Sequence, residues 1–470
     1  MAMNNSRMKQ ARKEQTELEF TRLKTEVEKW WTGRVKDDKQ KQYRTQLAAI
    51  KGMVESAVDY LTKELSKIDL KMPEGQFYEE CRRFDLRVIW LRKVWDFYRE
   101  KFDQRDDDEL KPLLLAADEV VWGCYQQLFR RAPTFALQLK SGPAPLPFIE
   151  TSYSPESFPS ELVPYDLKPS EVGFLQTLMN KLPIPLVSLP QACVTAPWWL
   201  VYVGHEVGHH IQYELADQRA FVKLFEVRIQ NAVKRKCGNT DEIEKWGRWG
   251  KEIFADVFSV LTMGQWAVRA MLEFEMQQPQ AMLTRRPQYP SPVIRLHLLA
   301  HIANSLGLDG TAELRGLNVE EMVKGNPQAE RDYSFVEEIV KEALSTEVAP
   351  NVTLTQLIGF LKEDFQPGGD LSGWSAALRT PNPSAPAIGN LRDPRLIAGA
   401  ALAAWSELTE EDEERRKLLR NELAANTIRL IAESREPGDR SESVAAVDST
   451  DFGSEIAKQL MNAKQQELVA

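Results

Sequence analysis

Apolar residues in this chain recur at steps of three and four, the period at which one face of an α-helix is buried. The clearest series is Phe84, Val88, Leu91, Trp95, Tyr98 and Phe102. Similar patterns cover 7–31 and 108–131, whereas runs with the alternating period of a strand are scarce. The sequence therefore predicts a mainly α fold and groups residues 1–138 into a helical bundle. The heptads are not sustained, which disfavours a coiled coil.

The chain is longer than one hydrophobic core usually organises, because it has 470 residues. We therefore expect further regions after the bundle. Residues 139–310 form the second, which opens with a proline- and serine-rich stretch that cannot be regular helix. A helical C-terminal region over 311–435 and a polar, flexible tail over 436–470 complete the prediction.

A short apolar segment over 184–189 is flanked by prolines at 183 and 190 and contains a further proline at 185. Proline cannot donate a hydrogen bond to a neighbouring strand, so it is confined mainly to the edges of sheets. We therefore expect a small edge-strand element here, with which an extended substrate peptide could pair.

Helix start and stop signals divide the rest of the second region. The predicted helices cover 195–215, 217–236, 239–274 and 292–305. Thr195 is expected to cap the first of them and Asn239 or Thr240 to cap the third. Further along, 334–346, 353–364 and 393–434 have helical patterns, and 366–395 is predicted to be a loop.

The chain has five histidines, and all of them are clustered. His205 and His209 are four residues apart on a predicted helix, so they project from one face and can take two of zinc's four tetrahedral positions. Glu206 is turned by about 100° from His205. It is therefore predicted to act on a water molecule as a base and not to ligate the metal. Gly208 indicates that another element approaches this helix closely.

A third ligand is predicted on a later helix. Glu252 and Asp256 are again four residues apart and share a face. Glu252 can ligate the metal, while Asp256 can accept the distal N–H of a ligand histidine and fix its orientation. The alternative assignment, in which Asp256 is the third metal ligand, remains open. We expect one zinc ion, with a fourth position left for water.

The motif His-Glu-Val-Gly-His at 205–209, followed by Glu-Ile-Phe-Ala-Asp at 252–256, resembles the gluzincin metallopeptidases. The resemblance covers roughly residues 180–310. It implies a zincin-like core, in which an active-site helix pair carries three zinc ligands (His205, His209 and Glu252), a base (Glu206) and an orienting carboxylate (Asp256). Two features differ from those gluzincins whose second motif also ends in Ala-Asp. No membrane helix is visible in this sequence, and an extra predicted helix, 217–236, separates the two motifs.

Several polar residues near the motif are candidates for supporting roles. His210 is expected to support the ligands from behind or to pack in the core. The oxyanion of a tetrahedral intermediate needs a hydrogen-bond donor. Candidate donors, with the first two preferred, are His297, Arg295, His301, Tyr202, Tyr213 and Tyr289. Alternatively, the helix that carries His297 and His301 packs on the site without a chemical role.

These features predict a zinc-dependent peptidase that acts on a peptide or protein, with the N-terminal bundle as a candidate surface for a protein partner. One alternative is a zinc hydrolase of another amide or ester. The other is a helical interaction protein in which zinc only joins helices, and there a fourth protein ligand would close the site.

The composition restricts the partners and the compartment. The net charge is -9 and the sequence pI about 5.4, which gives no general attraction to nucleic acids or anionic membranes. No run approaches the ~18–20 apolar residues that cross a bilayer, and the first residues have no apolar segment typical of a secretory signal. The four cysteines are far apart. We therefore expect a cytoplasmic protein with reduced thiols.

Overall fold

The computed structural model describes residues 2–36, 43–139, 143–158, 184–215, 220–365, 370–381, 383, 393–408 and 412–435, together with 458 and 461. The chain is mainly helical, as its apolar periodicity predicts. The flexible tail that we predict over 436–470 lies outside the described residues, apart from two positions. Among the described helices, none combines the length and the apolar character that crossing a membrane requires.

The described chain divides into two compact units. The first contains α1 (Ala2–Val35), α2 (Arg44–Ser66) and α3 (Glu74–Asp103). All six apolar residues of the series between 84 and 102 are buried on α3, which is why that face has a helical period. Phe84 of this series meets Phe20 of α1, with ring centroids 6.3 Å apart.

The second unit begins at Asp106. Its helices are α4 (Leu110–Arg131), α5 (Val203–Glu214), α6 (Ala220–Lys234), α7 (Thr240–Arg248), α8 (Gly250–Met263), α9 (Trp266–Glu275), α10 (Pro279–Met282), α11 (Pro292–Ser305), α12 (Val319–Val323), α13 (Pro327–Ser345), α14 (Leu354–Ile358), α15 (Asp370–Leu378), α16 (Pro394–Leu408) and α17 (Glu413–Glu433). Its strands are β1 (Leu146–Glu150), β2 (Glu156–Phe158), β3 (Leu186–Pro190), β4 (Glu347–Ala349) and β5 (Val352–Thr353).

Helix α4 belongs to the second unit, whereas the sequence boundary at 138 groups it with the N-terminal bundle. The reason is its apolar face, which packs against α5, α16 and α17. Amphipathic periodicity shows that a helix buries one face, but it does not show which helices that face will contact.

The prediction of an edge strand at 184–189 is wrong. Strand β3 is the central strand of a three-stranded sheet with the order β1, β3, β2. All five of its residues are buried. Prolines 183 and 185 precede the strand and Pro190 is its last residue, so none of them interrupts the middle of the ladder. A substrate peptide cannot pair with β3, because both of its sides are taken.

Two predicted helices and one predicted loop differ from the observed structure. Thr195 does not cap the first, because a 3-10 helix over Pro197–Tyr202 precedes α5 and the Thr195 hydroxyl donates to the Ala192 carbonyl. The helix predicted over 239–274 is broken into α7, α8 and α9. The second break falls at Gly264, whose φ of +62° suits glycine. Helix α15 lies within the predicted loop 366–395.

Other boundaries agree with the sequence signals. Asn239 caps α7, since its side-chain oxygen accepts hydrogen bonds from the backbone N–H groups of Asp241 and Glu242. Helix α11 begins at Pro292, and Gly307 follows its end with a positive φ of 81°. These are the local features that single residue types determine.

Helices α5 and α8 pack against each other at two glycines of α5. A Cβ added at Gly208 would lie 3.0 Å from the Ala255 Cα and 3.1 Å from the Phe258 Cβ. One turn earlier, a Cβ added at Gly204 would lie 2.8 Å from the Met263 Cγ. The close approach that Gly208 indicates is therefore present, and it brings the backbones of the two motif-bearing helices together.

Replacing Gly208 with alanine is expected to lower the free energy of unfolding by roughly 1–2 kcal/mol. Overpacking against α8 costs about 1–3 kcal/mol, while the gain in helix propensity returns at most about 1 kcal/mol. Denaturant titration measures the difference. The control is Gly238→Ala, because a Cβ at that position meets nothing within 4 Å. Equal stability of the two variants would refute the tight contact.

Candidate metal centre

The three predicted ligands come together at the contact between α5 and α8. The Nε2 atoms of His205 and His209 lie 3.4 Å and 3.3 Å from the same carboxylate oxygen, Oε2 of Glu252. The rings of the two histidines stand at 89° with centroids 4.9 Å apart. Among the described residues, these three form the group whose ligand atoms, all within 4.8 Å of one another, could hold a metal ion.

The donor atoms fit a bound cation. Glu252 Oε2 is buried, yet no hydrogen bond of good geometry satisfies it within the described chain. A buried carboxylate oxygen without such a bond is costly, and a cation between it and the two imidazoles would remove that cost. Although burial opposes it, the neighbouring His209 and His205 hold the pKa of Glu252 far below its ordinary value. Two imidazoles and one carboxylate are a common set for zinc.

Asp256 contacts the candidate ligand His205. Its Oδ1 lies 2.9 Å from His205 Nδ1, which leaves Nε2 of that ring directed toward Glu252. Burial lowers the pKa of His205, but the contacts with the Asp256 and Glu252 carboxylates outweigh it and raise the pKa to about 9. The structure thus places Asp256 behind a ligand, as predicted for an orienting carboxylate.

A chain of buried charges continues from Asp256 toward the surface. Arg295 donates from Nη2 and Nε to Asp256, at 2.8 Å and 3.0 Å, and from Nη1 to Glu275, at 3.0 Å. Glu275 is in turn paired with Arg286 at 2.7 Å. Because carboxylates and guanidiniums alternate, each buried charge has an opposite neighbour. Although burial opposes it, Arg295 holds the pKa of Asp256 below its ordinary value.

An open cleft of about 310 Å³ ends on His205 and Glu206. Its lining residues come from the start of β2 and the segment before it, from the 3-10 helix over Pro197–Tyr202, from α5 and α9, and from α11 and the loop that precedes it. The carboxylate of Glu206 makes no ion pair with the described residues and lines this cleft beside the ligand His205. It is therefore available to a molecule that enters the cleft.

The two preferred candidates for the oxyanion donor, Arg295 and His297, lie on different sides of helix α11. Arg295 lines the cleft, whereas His297, two residues later and rotated by about 200°, stacks on Tyr333 of α13 with ring centroids 4.4 Å apart. Burial lowers the pKa of His297 to about 4. His301 lies beside His297, with ring centroids 5.7 Å apart, and His210 is buried. None of these three histidines is among the residues that line the cleft.

Tyr289 is a cleft residue that can act as a hydrogen-bond donor. The Tyr202 hydroxyl already donates to the Ala270 carbonyl at 2.6 Å, and Arg295 is engaged by its two carboxylates. The Tyr289 hydroxyl makes no hydrogen bond within the described part of the chain. Burial raises the pKa of Tyr289, and the Glu252 and Glu206 carboxylates act in the same direction, so the hydroxyl keeps its proton.

Hydrogen bonds at Arg285 and Pro287 hold the loop that carries Tyr289. Arg285 donates to Asp332 at 2.7 Å and to Glu242 at 3.1 Å, and Trp249 Nε1 donates to the Pro287 carbonyl at 3.2 Å. The Arg295 guanidinium lies over the Tyr289 ring, with its central carbon 4.4 Å from the ring centroid. A donor held in this way needs little reorganisation when it is used.

Sequence reasoning missed Glu275, Arg286 and the lip of the cleft at 154–156. Glu275 is 1% exposed and holds two arginines. No local spacing could have shown this, because its partner Arg295 is twenty residues away on another helix. An acidic residue at the end of an apolar helical run was the one available signal.

Comparison of this chain with protein-family models, with curated proteins and with solved structures finds no match.

Proposed function

We propose that this protein is a zinc-dependent peptidase with a zincin-like core, built on the pair of helices α5 and α8. One observation carries the proposal: Glu206, a buried glutamate, lines an open cleft beside three side chains that can hold a metal ion. A site that only joins helices needs neither an open cleft nor a base beside the metal.

The chemistry follows from the positions of the side chains. A zinc ion at this site would supply a Lewis acid that makes a water molecule acidic near neutral pH. The Glu206 carboxylate is placed to accept a proton from an attacking water and to pass it to the leaving amine. Asp256 and Arg295 keep His205 in its orientation, and the Tyr289 hydroxyl donates a hydrogen bond to the oxyanion of the tetrahedral intermediate.

A peptide is the substrate that the shape of the cleft favours. Residues 154–156, which end on the first residue of β2, line the cleft together with Arg286, Gln288 and Tyr289 of the loop before α11. The cleft is open toward solvent between them, so an extended chain can lie along it. Strand pairing with substrate is open to the edge strand β2 and not to the central strand β3.

Replacing Tyr289 with phenylalanine is expected to lower kcat by roughly 100-fold, the scale measured for loss of one oxyanion donor. The ring stays under Arg295, so the fold and the metal content should not change. Steady-state kinetics on a quenched fluorescent peptide measures the effect. The control is Tyr333→Phe, which alters a tyrosine that stacks on His297 away from the cleft. Unchanged kcat in Tyr289→Phe would remove the residue from the mechanism.

Metal-dependent peptide hydrolysis tests the proposed function itself. The full-length protein is loaded with one equivalent of zinc and incubated with fluorescein-labelled casein and with a pool of quenched fluorescent peptides. We expect cleavage that a chelator abolishes and that added zinc restores. If the zinc-loaded protein cleaves neither casein nor any peptide of the pool, the proposed function is wrong.

A further inference from the structure

The two walls of the cleft differ in chemistry. Tyr202, Met271 and Phe274 form one wall, next to His205 and Glu206. The other wall is polar and carries Arg286, Gln288 and Tyr289. A peptide has the same division, because its backbone is polar and only its side chains can be apolar. The difference between the two walls can therefore determine which substrate side chains the cleft accepts.

The apolar wall is a continuous set of aromatic rings. Tyr202 meets Phe274 edge-on, with centroids 5.6 Å apart, and Trp199 stacks behind Tyr202 at 5.4 Å. The Tyr202 hydroxyl donates its hydrogen bond to the Ala270 carbonyl, so Tyr202 can offer only its ring to a ligand. Phe274 is half-buried and keeps part of its surface open to the cleft.

Tyr153 extends this wall to the surface. Its ring stacks on Phe274 with centroids 5.4 Å apart and an interplanar angle of 25°, although the residue is 80% exposed. The segment that follows, Ser154 to Glu156, is the lip of the cleft. An exposed aromatic side chain held against the rim of a cleft offers apolar area to a ligand at little cost in side-chain entropy.

We propose that the cleft selects peptides with a bulky apolar or aromatic side chain next to the bond that is cut, and that Phe274 is a specificity-determining residue. The inference rests on the proposed function and deepens it. The substrate side chain lies against Met271 and Phe274, while its backbone lies toward Tyr289 and Glu206. Acidic or small side chains at that position leave the wall exposed to water and gain little from it.

Matched peptides test the selectivity. A quenched seven-residue peptide, otherwise of alanine, carries phenylalanine, leucine, alanine or aspartate at its centre. For the zinc-loaded wild type we expect kcat/KM to be at least tenfold higher for the phenylalanine peptide than for the alanine peptide, as for a filled apolar pocket. Mass spectrometry should show cleavage at a bond of the central residue. In Phe274→Ala the preference should fall to within about threefold.

Two further variants and a binding measurement keep the test decisive. Met276→Ala changes an exposed apolar residue just after α9 and should keep the full preference. Phe274→Leu retains an apolar wall, so it should still prefer phenylalanine over aspartate if Phe274→Ala fails to fold. Fluorescence anisotropy of labelled phenylalanine and alanine peptides on Glu206→Gln should show the same order of affinity without turnover. Equal kcat/KM for all four peptides in an active wild type would overturn this inference alone, whereas absence of hydrolysis of every peptide would overturn the proposed function.

Discussion

We expect Glu206→Gln to lose hydrolytic activity by about two to four orders of magnitude and to keep its metal content unchanged. Glutamine has nearly the same shape but cannot take a proton from water, so the loss is that of a general base, about 100- to 10,000-fold in kcat. The metal stays because Glu206 is turned away from the two histidine ligands on α5 and is not part of the donor cluster. Steady-state kinetics on a cleaved peptide and elemental analysis of the same sample measure both quantities.

The matched control is Glu244→Gln, which makes the same change at an exposed glutamate on the neighbouring helix α7. It should keep both full activity and full metal content. Wild-type activity in Glu206→Gln would contradict the proposed mechanism. Loss of metal together with activity would instead make Glu206 a ligand, which the geometry does not support.

We expect Glu252→Ala to lower the affinity for zinc by more than about 100-fold, and activity at limiting zinc to fall with it. The substitution removes the one oxygen that faces both imidazole Nε2 atoms. Loss of an outer partner of a ligand typically costs 10- to 100-fold in affinity, so loss of a ligand itself should cost more. Competition with a chromophoric chelator measures the dissociation constant.

Asp256→Asn provides the comparison for this prediction. Asparagine can still contact His205 but carries no charge, so its effect should stay within about 10- to 100-fold. The order of the two variants separates the two assignments that the sequence leaves open. A larger loss in Asp256→Asn than in Glu252→Ala would make Asp256 the ligand and would contradict the assignment of Glu252.

The cluster of candidate ligands could be predicted from the sequence because its spacing is local. His205 and His209, and again Glu252 and Asp256, are four apart on helices, and that spacing alone places each pair on one face. Which helices meet is a long-range property, although Gly208 signalled the contact. The support from Arg295, Glu275 and Tyr289 could not be predicted in the same way, because these residues come from three separate segments.

The fold was predictable to the level of its helices and less well beyond them. The apolar periodicity predicted the mainly α fold class. Asn239 and Pro292 predicted where two of the helices begin. The prolines around β3 suggested an edge, yet the strand is central because β1 and β2 lie on its two sides. Strand order depends on pairing between distant segments, which the period of one strand does not contain.

Anomalous diffraction at the zinc absorption edge, from crystals of the wild-type protein, tests the central claim most directly. The claim predicts a single peak between Nε2 of His205, Nε2 of His209 and the carboxylate of Glu252, with no fourth protein ligand. No peak at this position from zinc-loaded protein would contradict the metal centre. A peak with a fourth protein ligand would contradict catalysis and indicate a zinc ion that only joins helices.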